Sequence, residues 1–104
     1  MHRYVTEIYR VTKDFPGYEL YGVTSQIRRS SVSIILNYIE GFARRNGENC
    51  KTYANFLRIS YGSLKESKYL LFLALELNYI SKENYTILLN LSDKIGKMLW
   101  PLFN

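Results

Sequence analysis

The sequence predicts an all-α protein, an up-down-up-down four-helix bundle whose first helix is short. Four segments place apolar residues three and four positions apart, which is the spacing of one helix face. Turn-forming residues separate these segments by short connectors, which favours antiparallel neighbours. No segment alternates apolar and polar residues between hairpin turns, so strands are not expected. The length predicts a single domain over residues 1–104.

The first two helices are predicted over about residues 4–13 and 24–43. A Phe-Pro-Gly run at positions 15–17 ends the first helix, because proline disfavours helix at the preceding residue and glycine permits a turn. Thr24 or Ser25 is the predicted N-cap of the second helix.

The last two helices are predicted over about residues 48–77 and 82–99, after an Asn-Gly turn at positions 46 and 47. Ser81 is the expected N-cap of the fourth helix, and Pro101 is expected to end it. The inward residues of the third helix are Tyr53, Leu57, Ser60, Leu64, Ser67, Leu71 and Ala74. Those of the fourth helix are Tyr85, Leu88, Ser92, Ile95 and Leu99.

The second helix is apolar over about twice the roughly 100° arc that a surface helix needs. A short bundle cannot bury this whole face, so Ile35, Leu36 and Ile39 are predicted to lie at an oligomer interface. The third helix contains Gly62, which costs about 1 kcal/mol relative to alanine in a helix and therefore suggests a packing role.

A narrow polar stripe runs along the second helix and includes Arg29, Asn37 and Glu40. Unpaired buried polar groups cost about 1–3 kcal/mol each, so these residues are expected to bond one another, Arg44 or a neighbouring helix. The stripe is therefore predicted to be structural.

The net charge of +5 lies in the middle of the chain. Residues 21–70 hold eight Lys or Arg against three Glu, whereas residues 1–20 and 71–104 each balance. Such a local excess favours an anionic partner, nucleic acid first, although a merely solubilising face is an equal alternative. The residues predicted to contact phosphate are Arg28, Arg44, Arg45, Lys51, Arg58, Lys65 and Lys68. Lys51, Arg58 and Lys65 stand seven residues apart and so form one line on the third helix.

The tyrosines and the tryptophan beside these cations are typical of surfaces that stack single-stranded bases. Most of the ten tyrosines, however, fall at core spacing, as Tyr38, Tyr53 and Tyr85 do. Core packing is therefore the preferred interpretation of the aromatic residues.

No catalytic constellation is visible. His2 is the only histidine, which removes His-based acid–base catalysis and zinc clusters. Cys50 has no partner base and is expected to be an inert thiol. Glu40 and Glu66 are expected to be salt-bridge partners of basic residues. The chain is therefore predicted to be no enzyme and to need no cofactor or metal.

A cytoplasmic location is expected. The single cysteine excludes an internal disulfide framework, which favours an intracellular protein. The chain has no signal pattern, and no apolar run approaches 18 residues, so a membrane partner is not expected.

Three runs carry a family resemblance: FPGYELYGVTSQIRRSSVSIILNYIEGFAR, YANFLRISYGSLKES and LALELNYIS. From about Tyr4 to the C-terminus, the chain resembles the bacterial four-helix bundle proteins encoded in 23S rRNA intervening sequences, or S23-type proteins. That family resembles in turn the accessory variability determinant of diversity-generating retroelements. The resemblance implies a homopentameric bundle with a basic surface suspected of binding nucleic acid, and no settled activity.

The positions that match the family motifs are Ser25, Gln26, Ile27, Arg28, Arg29, Asn37, Glu40, Gly41, Arg44, Gly62, Ser63, Leu64 and Glu66. This chain departs from the family at Ile35, where a proline is usual, so a kink is not expected there. The first helix of the family also starts about two or three turns earlier, so this chain is expected to be short at its N-terminus.

Two functions remain open. The first is a homo-oligomeric, pentameric bundle whose assembly multiplies a weak basic patch into a non-specific surface for RNA or DNA. The second is a purely structural or protein-interaction bundle that docks an acidic protein partner.

Overall fold

The computed structural model describes residues 1–45 and 50–104. Its helices are α1 (His2–Thr12), α2 (Val23–Ala43), α3 (Cys50–Glu76) and α4 (Lys82–Phe103), with a 3₁₀ helix at Gly17–Glu19. Those described residues contain no strand. The all-α prediction is therefore confirmed. The predicted Asn-Gly turn and the predicted helix start at Glu48 lie outside the described residues.

The four helices alternate in direction, because in three packed pairs the residue numbers run in opposite senses. The contacts that show this are Arg29–Glu66 and Ser33–Ser63 between α2 and α3, and Lys68–Asp93 and Tyr61–Trp100 between α3 and α4. Between α1 and α4, Arg10 bonds Asn84, and Tyr4 lines one small pocket with Ile95. Helix α1 also packs against α2. The up-down-up-down arrangement follows from these pairings.

The core lies where the predicted inward faces meet. The seam residues of α3 that are at most 1% exposed are Leu57, Ser60, Leu64, Ser67, Leu71 and Ala74. The buried residues of α4 are Leu88, Ser92, Ile95 and Leu99. Tyr53 and Tyr85 are half-buried at the ends of these seams. The predicted inward faces are therefore confirmed, with α1 closing the core through residues such as Tyr4 and Ile8.

The two predicted N-caps have opposite outcomes. Ser81 caps α4 as expected, since its Oγ accepts the backbone N–H of Asn84 at 3.1 Å. The prediction of Thr24 or Ser25 for α2 is wrong, because Gly22 holds that position.

A carboxylate from the connector replaces the missing hydroxyl cap of α2. Oε1 of Glu19 accepts the backbone N–H of Val23 at 3.3 Å. The Ser25 hydroxyl instead donates to the backbone oxygen of Gly22. A helix N-terminus favours a negatively charged hydrogen-bond acceptor. The carboxylate of Glu19, which the 3₁₀ turn positions, therefore caps α2.

Pro101 does not end α4, which continues to Phe103. Proline has no N–H to donate to the carbonyl of Lys97, so the last turn needs other support. Aromatic packing supplies it, because the ring centroid of Tyr61 lies 5.4 Å from those of both Trp100 and Phe103. Tertiary contact therefore overrides the local signal.

The packing role predicted for Gly62 is also not found within the subunit. A Cβ atom added at Gly62 would meet no atom within 4 Å. The glycine that permits close approach is Gly41, where a Cβ would lie 3.3 Å from Cδ2 of Leu57 and 3.4 Å from the backbone oxygen of Tyr53. Gly41 is buried at the α2–α3 contact.

Candidate nucleic-acid interface

An open groove of about 600 Å³ lies between α3 and the C-terminal turns of α4. Gly96 and the buried Leu64 also lie in its lining. The charged and aromatic side chains that line the groove are Tyr61, Lys65, Lys68, Asp93, Lys97 and Trp100. The groove therefore combines cations with aromatic rings.

Three aromatic rings form one cluster at the end of this groove. The centroids of Tyr61 and Trp100 are 5.4 Å apart with the ring planes at 50°, and Phe103 stands nearly perpendicular to Trp100 at 5.6 Å. Tilted and edge-to-face pairs of this kind are the favoured geometry of aromatic side chains. Trp100 nevertheless remains 52% exposed, so its indole is available at the surface.

Cations surround the aromatic cluster. The Lys65 Nζ lies 5.3 Å from the ring centroid of Tyr61, and the Arg58 guanidinium lies 5.9 Å from that of Phe103. Lys97 is exposed on the opposite wall. Among the described residues, neither Lys65 nor Lys97 has an ion-pair partner, so their charges remain available to an anion.

One acid lies in the groove. The Lys68 Nζ donates to Oδ1 of Asp93 at 2.8 Å, which joins α3 to α4 across the groove. The Lys68 side chain is only 26% exposed. Lys68 is therefore engaged by Asp93, and, among the described residues, the unpaired positive charges of the groove lining are those of Lys65 and Lys97. Arg58 adds a positive charge beside Phe103.

The predicted line of cations on α3 is exposed along its length. Lys51, Arg58 and Lys65 are all exposed, and neighbouring members are separated by about 10 Å at the helical rise of 1.5 Å per residue. Arg58 also donates to Oδ1 of Asn55 at 2.9 Å, a bond that keeps its positive charge. The structure thus places Lys65 in the lining of the groove and Arg58 beside Phe103 of the adjoining aromatic cluster.

Arg28 lies elsewhere. Its Nε donates to Oγ1 of Thr12 at 2.8 Å, and its guanidinium covers the ring of Tyr9 at 4.8 Å. This half-buried side chain joins α1 to α2 and is not part of the groove.

Arg44 and Arg45 are exposed at the C-terminal end of α2. Arg44 covers the ring of Phe56 at 5.1 Å, and Arg45 covers the ring of Phe42 at 5.4 Å. Arg44 also pairs with Glu40 at 3.4 Å. Both guanidinium groups reach solvent, but they lie outside the lining of the groove.

The polar stripe of α2 faces α3. Arg29 pairs with Glu66, and the Ser33 and Ser63 hydroxyls bond each other at 2.8 Å. Asn37 donates to the backbone oxygen and the hydroxyl of Ser33, both at 2.9 Å. Among the described residues, the hydrogen bonds of Asn37 link it to α3 through Ser33, while Arg29 contacts α3 directly.

Glu40 pairs with Arg44 and Glu66 pairs with Arg29, as the sequence predicted for both acids. The Cys50 thiol lies outside the part of the structure that is described. In that described part, no group of three His, Cys, Asp or Glu residues could hold a metal ion.

Two tyrosines have raised pKa values. Burial raises the pKa of Tyr4 to about 12, although its hydrogen bond with Ser67 acts in the opposite direction. The hydrogen bond to Tyr18, and then the one donated to the Glu19 carboxylate, raise the pKa of Tyr79. Both groups lie in the packing of the bundle rather than in the groove.

The residues predicted for an oligomer interface form an apolar surface on α2. Leu36 and Ile39 are each 55% exposed, and Ile35 is half-buried. Isolated exposed apolar residues are common, but these neighbours share one side of the same helix. The oligomer itself stays a prediction.

The sequence model of the 23S rRNA-intervening sequence protein family matches residues 1–100. The chain belongs to this family. The match covers α1, α2, α3 and most of α4, and it confirms the resemblance to the 23S rRNA intervening-sequence proteins.

A solved structure also resembles this intervening-sequence protein. It is the crystal structure of a protein of unknown function from the S23 ribosomal protein family of Bacteroides thetaiotaomicron VPI-5482. The two chains are 25% identical, the TM-score is 0.81, and the match covers 96% of this chain and 88% of the other. No curated protein matches the chain. Among the described residues, no helix is both long and apolar enough to cross a membrane.

Four of the charged and aromatic groove residues were missing from the residues predicted for this intervening-sequence protein: Tyr61, Asp93, Lys97 and Trp100. Their spacing contains a usable signal, since Tyr61 precedes Lys65 by four residues and Lys97 precedes Trp100 by three, so each pair shares a helix face. The two faces meet because of the way α3 packs against α4, and sequence spacing alone does not predict this packing.

Proposed function

We propose that this intervening-sequence protein is a non-enzymatic homo-oligomer, a pentamer, that binds RNA or DNA without sequence preference in the cytoplasm. The observation that supports this proposal is the grouping of Arg58, Lys65 and Lys97 around exposed aromatic rings. Lysine and arginine contacts to phosphate give affinity without sequence information, which suits a surface with no evident base code.

Assembly would strengthen a weak site. Each subunit offers only a few cations, and several subunits that hold one strand would raise its effective concentration at the remaining sites. The exposed Leu36 and Ile39 side chains supply a surface through which copies of the chain can pair.

A salt titration tests the nucleic-acid proposal. We expect the logarithm of affinity to fall with the logarithm of salt concentration, with a slope of about −0.9 per phosphate contact on duplex or −0.7 on a single strand. Changing Lys51, Arg58 and Lys65 together to Gln should flatten that slope and weaken every sequence similarly, without changing the oligomer size.

The matched control changes Lys13, Lys82 and Lys94 to Gln. These exposed cations lie on α1 and α4 or next to them and give the same loss of net charge. The control should keep most of the affinity and slope. Absence of any binding to RNA or DNA near 50 mM salt, together with binding to an acidic protein, would favour the alternative of a protein-interaction bundle.

Light scattering tests the oligomer. The wild-type protein should have a mass near 62 kDa, five times the 12.3 kDa subunit. Changing Leu36 and Ile39 to Asp should dissociate it while each subunit stays folded, because both side chains are already exposed. Ile87→Asp, a change at a partly exposed position of α4, is the control. A monomeric wild type at micromolar concentration would contradict the oligomer.

A further inference from the structure

We propose that the α3–α4 groove selects single-stranded nucleic acid, with a base stacked on Trp100 and the flanking phosphates held by Lys65, Lys97 and Arg58. This inference rests on the proposed nucleic-acid function and adds the strand class and the site. The proposed ligand is a single strand of either RNA or DNA, because both present the base faces and phosphates that the groove recognises.

The exposed indole supplies the stacking surface. Trp100 is 52% exposed although it belongs to a packed aromatic cluster. Its neighbours Tyr61 and Phe103 meet it at interplanar angles of 50° and 75°, so neither ring lies flat on the indole. A planar base can therefore approach the indole, and stacking of this kind accepts any base.

The contacts around Trp100 also hold it in place. Tyr61, Trp100 and Phe103 are mutual neighbours within 5.6 Å, and together they support the last turn of α4 despite Pro101. A ring that is already positioned loses less conformational entropy when a ligand binds. The cluster thus gives the groove a preformed platform.

The charges of the groove complement a phosphate backbone. Lys65 lies against Tyr61, and Lys97 precedes Trp100 by one helical turn. The single acid, Asp93, is bonded to Lys68 at 2.8 Å and so does not oppose these cations. Alternation of cations and aromatic rings along a groove is the arrangement that binds single strands.

The size of the groove favours a strand with accessible bases. Its volume of about 600 Å³ lies within the roughly 300–1,000 Å³ of small-ligand sites. Bases in a duplex are covered by their neighbours on both faces, so they cannot stack on Trp100. A duplex can only meet the cations, whereas a single strand can use both the cations and the ring.

The experiment uses the full-length protein and its own fluorescence, because Trp100 is the sole tryptophan. Oligo(dT), oligo(rU) and a duplex of equal length are titrated into the wild type. Both single strands should quench the indole fluorescence and bind more tightly than the duplex, which should leave the indole signal unchanged. The comparison of the two single strands separates RNA from DNA as the preferred source.

The variant Trp100→Leu keeps an apolar side chain on the cluster but removes the stacking ring. It should weaken single-strand binding roughly 5- to 150-fold, the equivalent of about 1–3 kcal/mol per stacked base. The salt slope should stay unchanged, because no phosphate contact is lost. Tyr21→Leu is the control, since Tyr21 is 91% exposed in the connector before α2 and distant in sequence from the groove. Binding by these variants is measured with labelled oligonucleotides.

The variant Lys97→Gln gives a second test that does not depend on the aromatic cluster. It should reduce the salt slope by about 0.7 on a single strand and leave the thermal melting unchanged. Equal affinity for duplex and single strand, or equal effects of Trp100→Leu and Tyr21→Leu, would overturn the inference while the nucleic-acid function stands. Failure of the wild type to bind any of the three probes would overturn both.

Discussion

The α2–α3 contact and the α3–α4 contact use the same central helix in opposite ways. Toward α2, α3 presents small residues such as Ser60 and Ser63, whose hydroxyls bond Ile34 and Ser33 across the contact. Toward the end of α4, it presents Tyr61, which lines the groove and packs against Trp100. One side of α3 is closed and the other is open.

The difference follows from side-chain size and polarity. Serine and glycine allow two backbones to approach, and no buried side-chain N or O atom of the described residues lacks a hydrogen-bond partner. Aromatic and lysine side chains are too large for such an approach, so they leave space and charge at the surface. The closed side therefore serves stability, while the open side leaves charged and aromatic groups at the surface.

The largest expected effect is on the closed side. Ser60 is fully buried and donates to the backbone oxygen of Ile34 at 2.6 Å. Ser60→Leu should therefore destabilise the protein by about 3 kcal/mol, since an overfilled contact must separate α2 from α3. Chemical denaturation measures this loss. Lys97→Gln on the open side should change stability by less than about 0.5 kcal/mol, and an equal effect of the two changes would remove the distinction.

The core has a pH signature where α1 meets α3. The Tyr4 hydroxyl bonds Ser67 at 2.8 Å, and burial raises the pKa of Tyr4 to about 12. An unfolded tyrosine ionises near pH 10, so the folded state retains its proton over a range in which the unfolded state has lost it. The contribution of Tyr4 to stability should therefore be constant below about pH 10 and fall by roughly 3 kcal/mol as pH rises toward 12, since one pKa unit corresponds to about 1.4 kcal/mol.

The variant Tyr4→Phe isolates this contribution. The stability advantage of the wild type over Tyr4→Phe, measured by denaturation at each pH, should decrease between about pH 10 and pH 12. Other tyrosines titrate in both proteins and cancel in the difference. A difference that stays constant over this range would show that Tyr4 ionises normally.

A smaller effect on stability is expected at two glycines, one on each side of α3. A Cβ at Gly96 would make only an ordinary 3.5 Å contact with Leu64, so Gly96→Ala should stabilise α4 by about 0.5–1 kcal/mol through helix propensity. A Cβ at Gly41 would bring the same gain in helix propensity, but it would lie only 3.3–3.4 Å from neighbouring atoms, one of them a backbone oxygen. Gly41→Ala should therefore be the less stable of the two by thermal melting. The reverse order would contradict the close α2–α3 approach.

The smallest expected effect is at Glu40. Its carboxylate lies 3.4 Å from Arg44, and both side chains are 52% exposed. Exposed helix pairs four residues apart contribute about 0.3–0.5 kcal/mol, so Glu40→Gln should reduce stability by no more than this. Denaturation at low and high salt checks the value. A loss above about 1 kcal/mol would show that Glu40 has a further partner, such as another subunit.

The predictions from sequence succeeded where a local pattern is sufficient and failed where a distant contact decides. The Ser81 cap depends on Asn84, three residues away, and is confirmed. The predicted N-cap of α2 and the predicted end of α4 at Pro101 were both wrong. In the first case Glu19 replaces the hydroxyl, and in the second the Tyr61 ring supports the turn.

The predictions for the candidate site also succeeded where local spacing is sufficient and failed where a distant contact decides. The heptad spacing of Lys51, Arg58 and Lys65 placed them on one exposed face of α3, as the structure has them. Spacing could not show that Arg28 bonds Thr12 on α1 or that Lys68 bonds Asp93 on α4. It also could not show that Trp100 meets Tyr61, because the two residues are far apart in the chain.

The sequence by itself determined the four helices, their inward faces and the family of this protein, because helical periodicity and motifs are properties of neighbouring residues. Only the tertiary structure decided which side of α3 is closed and which is open. That outcome depends on the residues that α2 and α4 bring to it, with Gly41 on one side and Trp100 on the other. Side-chain volume at a helix contact sets the distance between helices, and this volume acts only after distant segments have met.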